Sequence, residues 1–351
     1  MADLSCLQRE KLESILMTLS PSSQEEELTS FITRCGLDQW SCRVDKLGNA
    51  LISLNGEKNS SVLLTAHCDE IGLQVIYITE EGYIRFRGVG GVDLGTLAGQ
   101  TVTILNSKDR VNGVICKAPI HVKDKDAKAS SIEFSDLWID IGCSSLKEAE
   151  GLVSIGDMIG FAPKVTYLGD RRLSCKALDD KIGVYAILSA MERLSRGSIE
   201  NNVTAVFSVQ EEVGSKGIAV AAETIHPSWG ICVDVGVATD CPNISKESFG
   251  ELKLGGGPAL VYCADTNRRL TDKAASLLEA KKIPFQKSAG LRVSGSTDAR
   301  SLQTAVTGVP CVLLLIPIRS MHTPSEVCDL YDVANTIEAL VEIIKCLDYE
   351  C

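Results

Sequence analysis

The chain has 351 residues, 45% of them hydrophobic and 23% charged, and a formal net charge of −11. That is length for about two domains, able to bury roughly three quarters of the unfolded surface, and the composition excludes a disordered, collagenous or coiled-coil chain. The acidic balance also opposes duplex nucleic acid, because the densest basic stretch, Lys123 to Lys128, is interleaved with Asp124 and Asp126.

From the start, Asp3, Arg9, Glu10 and Lys11 put charge where a signal peptide needs an apolar core, and no later stretch approaches 18 uncharged apolar residues. A cytoplasmic address with no membrane partner is therefore expected. Fourteen cysteines are spread from Cys6 to Cys351 without any C-x-x-C pair, which predicts reduced structural thiols, with Cys232 and Cys311 as small buried hydrophobes.

Patterning predicts helices at Leu4 to Leu19 and Glu25 to Thr33, then strands at Ala50 to Leu54 and Ser61 to Ala66. From Gly82 the texture changes to short alternating segments, Tyr83 to Arg87, Thr101 to Leu105 and Val111 to Ile115. They are separated by Gly or Asn at intervals of about ten residues, the signal of a small antiparallel barrel or sandwich. Beyond Lys164 helices (Lys181 to Leu194, Ser215 to Glu223, Ala274 to Lys281, Val333 to Leu347) alternate with strands (Val203 to Val209, Trp229 to Val235, Val309 to Ile316). The economical reading is an α/β fold: a helix-covered, largely parallel or mixed sheet formed by residues 1–73 plus 165–351, with a small β domain inserted at 74–164.

With only four histidines, their surroundings are informative. His67 ends the apolar strand that begins at Val62, where a sheet delivers side chains to its carboxyl edge. If the segment stays extended, Asp69 shares its face and is placed to accept the second imidazole N–H. Asp179 and Asp180 follow an apolar segment and precede a helix. Glu211 and Glu212 leave the strand Val203 to Val209, and two adjacent carboxylates there repel one another unless a cation lies beside them. Asp234 sits inside an apolar strand, where an unpaired charge is expensive. His322 follows the strand Cys311 to Pro317 and is backed by Pro324. His121 and His226 read as structural or solvated. His67, Asp179, Glu212, Asp234 and His322 are too many ligands for one tetrahedral catalytic zinc, and suit two ions sharing a carboxylate. Mixed N and O donors without thiolate point to zinc, cobalt or manganese, and Glu211 remains as general base.

In this order, His67-Cys-Asp69-Glu70, Gly90-Gly91, Lys176-Ala-Leu-Asp179-Asp180, Gln210-Glu211-Glu212, Val233-Asp234, Gly255-Gly-Gly-Pro258, Gly295-Ser-Thr-Asp298 and Arg319-Ser-Met-His322 closely resemble the tetrahedral aminopeptidase family. That family includes glutamyl aminopeptidases and proteins labelled cellulase M. The resemblance implies a metallopeptidase exopeptidase domain interrupted by a β-barrel used in homo-oligomeric assembly, from dimers to hollow tetrahedral dodecamers. It implies that Asp179 bridges two metals, with His67 and Asp234 on one and Glu212 and His322 on the other, while Glu211 is the base and Asp69 stands behind His67. Departures from the pattern are Gly236 for Thr, Ser320 for Tyr, and Ser22-Ser-Gln-Glu25 for Ser-Gly-x-Glu.

The function expected is a dinuclear metal-dependent aminopeptidase, loaded with zinc or cobalt, that removes N-terminal residues from short peptides with a metal-bridging hydroxide as nucleophile. The alternatives are a deacylase or carboxypeptidase working on other amides with the same constellation, and a scaffold without catalysis. A glycosidase fits poorly, because its paired carboxyls must flank one bond, whereas Glu211 and Glu212 are taken up as base and ligand.

Overall fold

A computed structural model describes residues 4, 7–35, 40–58, 60–107, 109–119, 121, 132–295 and 297–347. Lys123 to Lys128, Cys6 and Cys351 lie outside the described residues. Three strands precede the barrel: β1 (Ser41–Val44), β2 (Ala50–Leu54) and β3 (Ser61–His67). Six form the next unit: β4 (Gly72–Ile78), β5 (Ile84–Val89), β6 (Thr101–Leu105), β7 (Arg110–Lys117), β8 (Leu137–Asp140) and β9 (Met158–Phe161). The rest are β10 (Thr166–Leu168), β11 (Arg172–Cys175), β12 (Asn202–Ser208), β13 (Trp229–Val237), β14 (Ala259–Val261), β15 (Gln286–Ser288), β16 (Cys311–Arg319) and β17 (Glu326–Asp329).

The large sheet runs β1-β2-β12-β3-β13-β16-β17-β11-β10, with β14 and β15 attached beside β16. Its centre, β12-β3-β13-β16, is parallel and its flanks are antiparallel. The fold is therefore the mixed, helix-covered sheet expected. Both faces of the parallel strands are buried, so Val62, Leu63 and Leu64 are all inaccessible, as continuous apolar runs require. One face packs on helices Leu178–Leu194 and Leu330–Cys346, the other on Lys216–Ile225 and Asp298–Thr304.

Strands β4-β5-β8-β7-β6-β9 close an antiparallel barrel around its own core of Leu73, Phe86, Val102, Ile139 and Ile159. Sequence patterning foresaw β5, β6 and part of β7. It missed β4, whose bulge between Val75 and Tyr77 breaks the alternation, and also β8 and β9, four residues each, which are too short for an alternation to register.

Two local features bear on the site. The helix expected at Lys181 to Leu194 is present, and it is preceded by a non-helical break at Asp179 (φ −76°, ψ 108°) and Asp180 (φ −115°, ψ 34°), whose shared peptide bond is cis. Ser23, standing where the resembled pattern has Gly, takes φ 76°, the left-handed conformation that glycine adopts freely and a β-carbon opposes.

Candidate metal centre

The parallel strands deliver the candidate ligands to one edge. His67 ends β3 opposite Ser208 of β12, with its N–H accepted by Asp180 Oδ2 at 3.3 Å, and Asp234 on β13 lies opposite Leu315 of β16. Glu211 and Glu212 follow β12, His322 lies in the turn between β16 and β17, and Asp179 sits at the interrupted helix start.

The side chains converge into two triads that share Asp179. Ligand atoms of His67, Asp179 and Asp234 lie within 4.8 Å of one another, as do those of Asp179, Glu212 and His322. Asp179 turns a different oxygen to each histidine: Oδ1 is 3.0 Å from His67 Nε2, and Oδ2 is 3.3 Å from His322 Nε2. Each ring is oriented from behind. His67 Nδ1 is 2.9 Å from the carbonyl of Asp69, and His322 Nδ1 is 2.9 Å from the carbonyl of Gly91. A carbonyl only accepts, so both Nδ1 atoms carry hydrogen and, in the neutral rings, the Nε2 lone pairs face the triads. Gly91 must be glycine: a β-carbon there would lie 2.7 Å from His322 Nδ1. The barrel segment, which holds none of the five candidate ligands, thus still reaches this site through the loop after β5.

Asp69 is placed differently from the expectation. Its carboxylate is 3.6 Å from His67 Nδ1, while Oδ1 accepts the Glu211 N–H at 2.8 Å and Oδ2 accepts the Glu212 N–H at 3.1 Å and the Ser22 hydroxyl at 2.6 Å. The strand ends at His67 and the chain turns, so the Asp69 carbonyl meets the imidazole and its carboxylate holds the Glu211–Glu212 turn. Glu25 extends that support by accepting the Gln210 N–H at 3.2 Å. His121 is exposed, and His226 caps helix Lys216–Ile225 with φ 51°; neither belongs to the triads.

The electrostatics create a strong demand for positive charge. Burial, then the neighbouring acids, raise Glu212 and Asp234 well above the ordinary carboxylate range, and burial is the first cause that pushes Glu211 up to about 7. Burial also opposes charge on Asp179, but hydrogen bonds from His322 and His67 outweigh it and hold its carboxyl below the ordinary range. The Asp179 hydrogen bond is the largest influence lifting His322 to about 9. Glu212 Oε1 is buried with no hydrogen-bond partner, although it faces His322 Nε2 at 3.6 Å. A buried carboxylate oxygen left without a donor is costly. That orphan atom, the two triads and the N/O donor set fit divalent cations.

Three further groups escaped sequence reasoning. Glu70 is fully buried between Lys176 Nζ at 2.5 Å and Lys181 Nζ at 3.0 Å, a triad that ties the Asp179 segment to the residues after His67. Asp298 accepts from Thr65 and Ser208 behind the strands that carry His67 and Glu211. Glu326 accepts the backbone N–H groups of both Asp179 and His322; burial, then the Asp179 charge, push it up to about 8. An acidic residue at each end of the short strand Glu326–Asp329 was the one available signal for Glu326.

A cleft of about 710 Å³ extends from the triads over Gly236, Leu252, Val261, Leu313 and Leu315. Gly236 keeps that floor open, since a β-carbon would lie 2.9 Å from Leu252 Cδ2 and 3.1 Å from Leu315 Cβ.

The family model for the M42 glutamyl aminopeptidases matches residues 48–339. The chain belongs to the M42 peptidase family. It is 36% identical over 313 residues to a lysyl aminopeptidase of Pyrococcus furiosus, covering 88% of each chain. Among solved structures it resembles a TET aminopeptidase from the archaeon Thaumarchaeota archaeon SCGC AB-539-E09 at 31% identity and a TM-score of 0.90, covering 97% of this chain and 96% of that one. It also resembles the TET1 peptidase of Pyrococcus horikoshii, described as assembling into a tetrahedron or a large octahedral shell, at 32% identity and a TM-score of 0.87, covering 97% of this chain and 99% of that one. The resemblance to tetrahedral aminopeptidases is thereby borne out, and the protein is a metallo-aminopeptidase, a hydrolase.

Proposed function

We propose that this M42 enzyme is a dinuclear aminopeptidase that removes N-terminal residues from short peptides. The observation that carries the reading is Asp179, whose two oxygens face two different triads. His67, Asp179 and Asp234 would hold one divalent ion, and Asp179, Glu212 and His322 the other. Zinc or cobalt suits these imidazole and carboxylate donors. Bound there, such ions would polarise the scissile carbonyl and acidify the attacking water.

The chain's own residues supply the rest. Ser215 Oγ donates to Glu211 Oε1 at 3.0 Å, fixing the rotamer, so Oε2 takes the proton from the attacking water and returns it to the leaving amine. Asp69 holds the Glu211 backbone so that this carboxylate stays aimed into the cleft. The apolar floor around Leu313 and Leu315 receives the N-terminal side chain and keeps water from it.

The test is a panel of aminoacyl chromogenic substrates and their N-acetylated counterparts, assayed before chelation, after it, and after readdition of zinc or cobalt. Activity on free-amine substrates should vanish with chelator and return with metal. Equal cleavage of the acetylated compounds would replace this reading with a deacylase or carboxypeptidase.

Residues 74–164 we assign to assembly, as a dimer and from there a tetrahedral dodecamer. Ile76, Tyr77, Tyr83 and Val114 of this segment are 44%, 54%, 37% and 43% exposed, apolar area that a partner subunit would cover. Light scattering should give a mass of at least two chains, whereas a strictly monomeric, fully active enzyme would defeat the assignment. A cytoplasmic address remains our proposal, supported by the free thiols of the described cysteines; among the described residues no helix is long and apolar enough to cross a membrane.

A further inference from the structure

We infer that Glu326 is a positioning residue for the second cation site, the one formed by Asp179, Glu212 and His322; the inference rests on the two-ion reading above. Glu326 is 1% exposed. Its Oε1 accepts the His322 N–H at 2.7 Å and its Oε2 accepts the Asp179 N–H at 3.0 Å. One carboxylate therefore spans two ligands that lie 143 residues apart in the chain (322 minus 179).

The two sites differ in how their backbones are held. Asp234 sits within β13, and His67 closes β3 with its N–H accepted by Asp180 Oδ2 at 3.3 Å while the next residue, Cys68, bonds to β12. His322 has φ 62° in a turn whose Ser320 has φ 57°, and Asp179 lies at a non-helical break, φ −76° and ψ 108°. Neither of these two has a ladder or helix bond at its N–H, and Glu326 supplies the acceptor to both. Since a left-handed non-glycine residue persists only where its surroundings hold it, the His322 ring reaches Asp179 because its backbone is tethered from below by Glu326 and its Nδ1 from above by Gly91. Glu212, the remaining ligand, is held separately by Asp69.

Both carboxylate oxygens are in use, and this makes the inference testable. Glu326→Gln keeps the length but sets an amide NH2 against one of two N–H donors. Glu326→Asp keeps the carboxyl group but is one methylene short of spanning both. Loss of such an outer partner typically weakens a metal site 10- to 100-fold.

The experiment titrates cation-free full-length protein with zinc by calorimetry and with cobalt by visible absorption. Two equivalents are expected in the wild type. In both variants the second equivalent, which depends on Glu326 through both His322 and Asp179, should weaken 10- to 100-fold with shifted cobalt bands, while the first, linked to Glu326 only through the shared Asp179, should weaken distinctly less. Peptidase activity should recover when free zinc is raised by the same factor. Weakening in Glu326→Gln with full affinity in Glu326→Asp would assign Glu326 a charge effect and overturn the positioning role, as would equal weakening of both equivalents. A single equivalent in the wild type would sink the two-ion reading itself, whereas two unchanged equivalents in both variants would sink only the role of Glu326. Should the variants fail to fold, amide exchange in the cation-free wild type decides: the turn at 320–325 should be protected before any metal is added, and rapid exchange there would overturn the inference.

Discussion

Asp179→Ala should leave less than one equivalent of divalent metal per chain and reduce peptidase activity to background. Each terminal ligand belongs to one triad, but Asp179 contributes Oδ1 to one and Oδ2 to the other. Its removal takes a donor from both ions, and it also takes away the negative charge that offsets their mutual repulsion. His67→Ala is the matched control: it strips one donor from the Asp234 triad and leaves Asp179, Glu212 and His322 intact, so about one equivalent should remain. Alanine at 179 keeps the backbone N–H that Glu326 accepts, so the loss reports the carboxylate rather than collapse of the turn. Metal analysis of both variants after dialysis gives the comparison directly. Two full equivalents in Asp179→Ala would end the bridging assignment, and equal retention in the two variants would show that the triads are not coupled through this residue.

The parts of the site that were legible in the sequence are those that a strand delivers. β3, β12, β13 and β16 are largely apolar and largely buried, and charged or imidazole side chains at or just beyond their ends, His67, Glu211, Glu212 and His322, stand out against them. Asp234 was legible for the converse reason, as a charge inside such a run. What could not be read was the way these side chains are held. Asp69 was assigned to His67 on the premise that the strand continues; it ends at His67, and the Asp69 carboxylate turns to the amides of Glu211 and Glu212. Glu326, Asp298 and the Glu70 triad bind backbone or side-chain groups far away in the chain, and such partnerships leave no periodicity in sequence. The fold shows the same division. Most helices and long regular strands announce themselves by period, while the bulged β4 and the three-residue β14 and β15 are placed only by what lies beside them.

Glu211→Gln should lower turnover on the order of 10²- to 10⁴-fold, the range of general acid–base catalysis, while both equivalents of metal are retained. Glutamine preserves the length of the side chain, and its carbonyl oxygen can still accept from Ser215, which holds Glu211 Oε1 in the wild type. The backbone N–H that Asp69 anchors is untouched, so Glu212 stays in its triad. What disappears is the basicity at Oε2. Burial and the nearby acids lift Glu211 to about 7 in the cation-free protein, and bound dications act in the opposite direction. The wild-type rate should therefore fall with acid on a limb at or below about pH 7, as Glu211 becomes protonated and can no longer accept a proton from water. In the glutamine variant that limb should be missing from the residual activity. Glu212→Gln separates the two neighbours, because a weakened ligand should lose metal as well as rate, and excess zinc should restore part of its activity but none in Glu211→Gln. Near-normal turnover of Glu211→Gln at full metal occupancy would place the base on another residue.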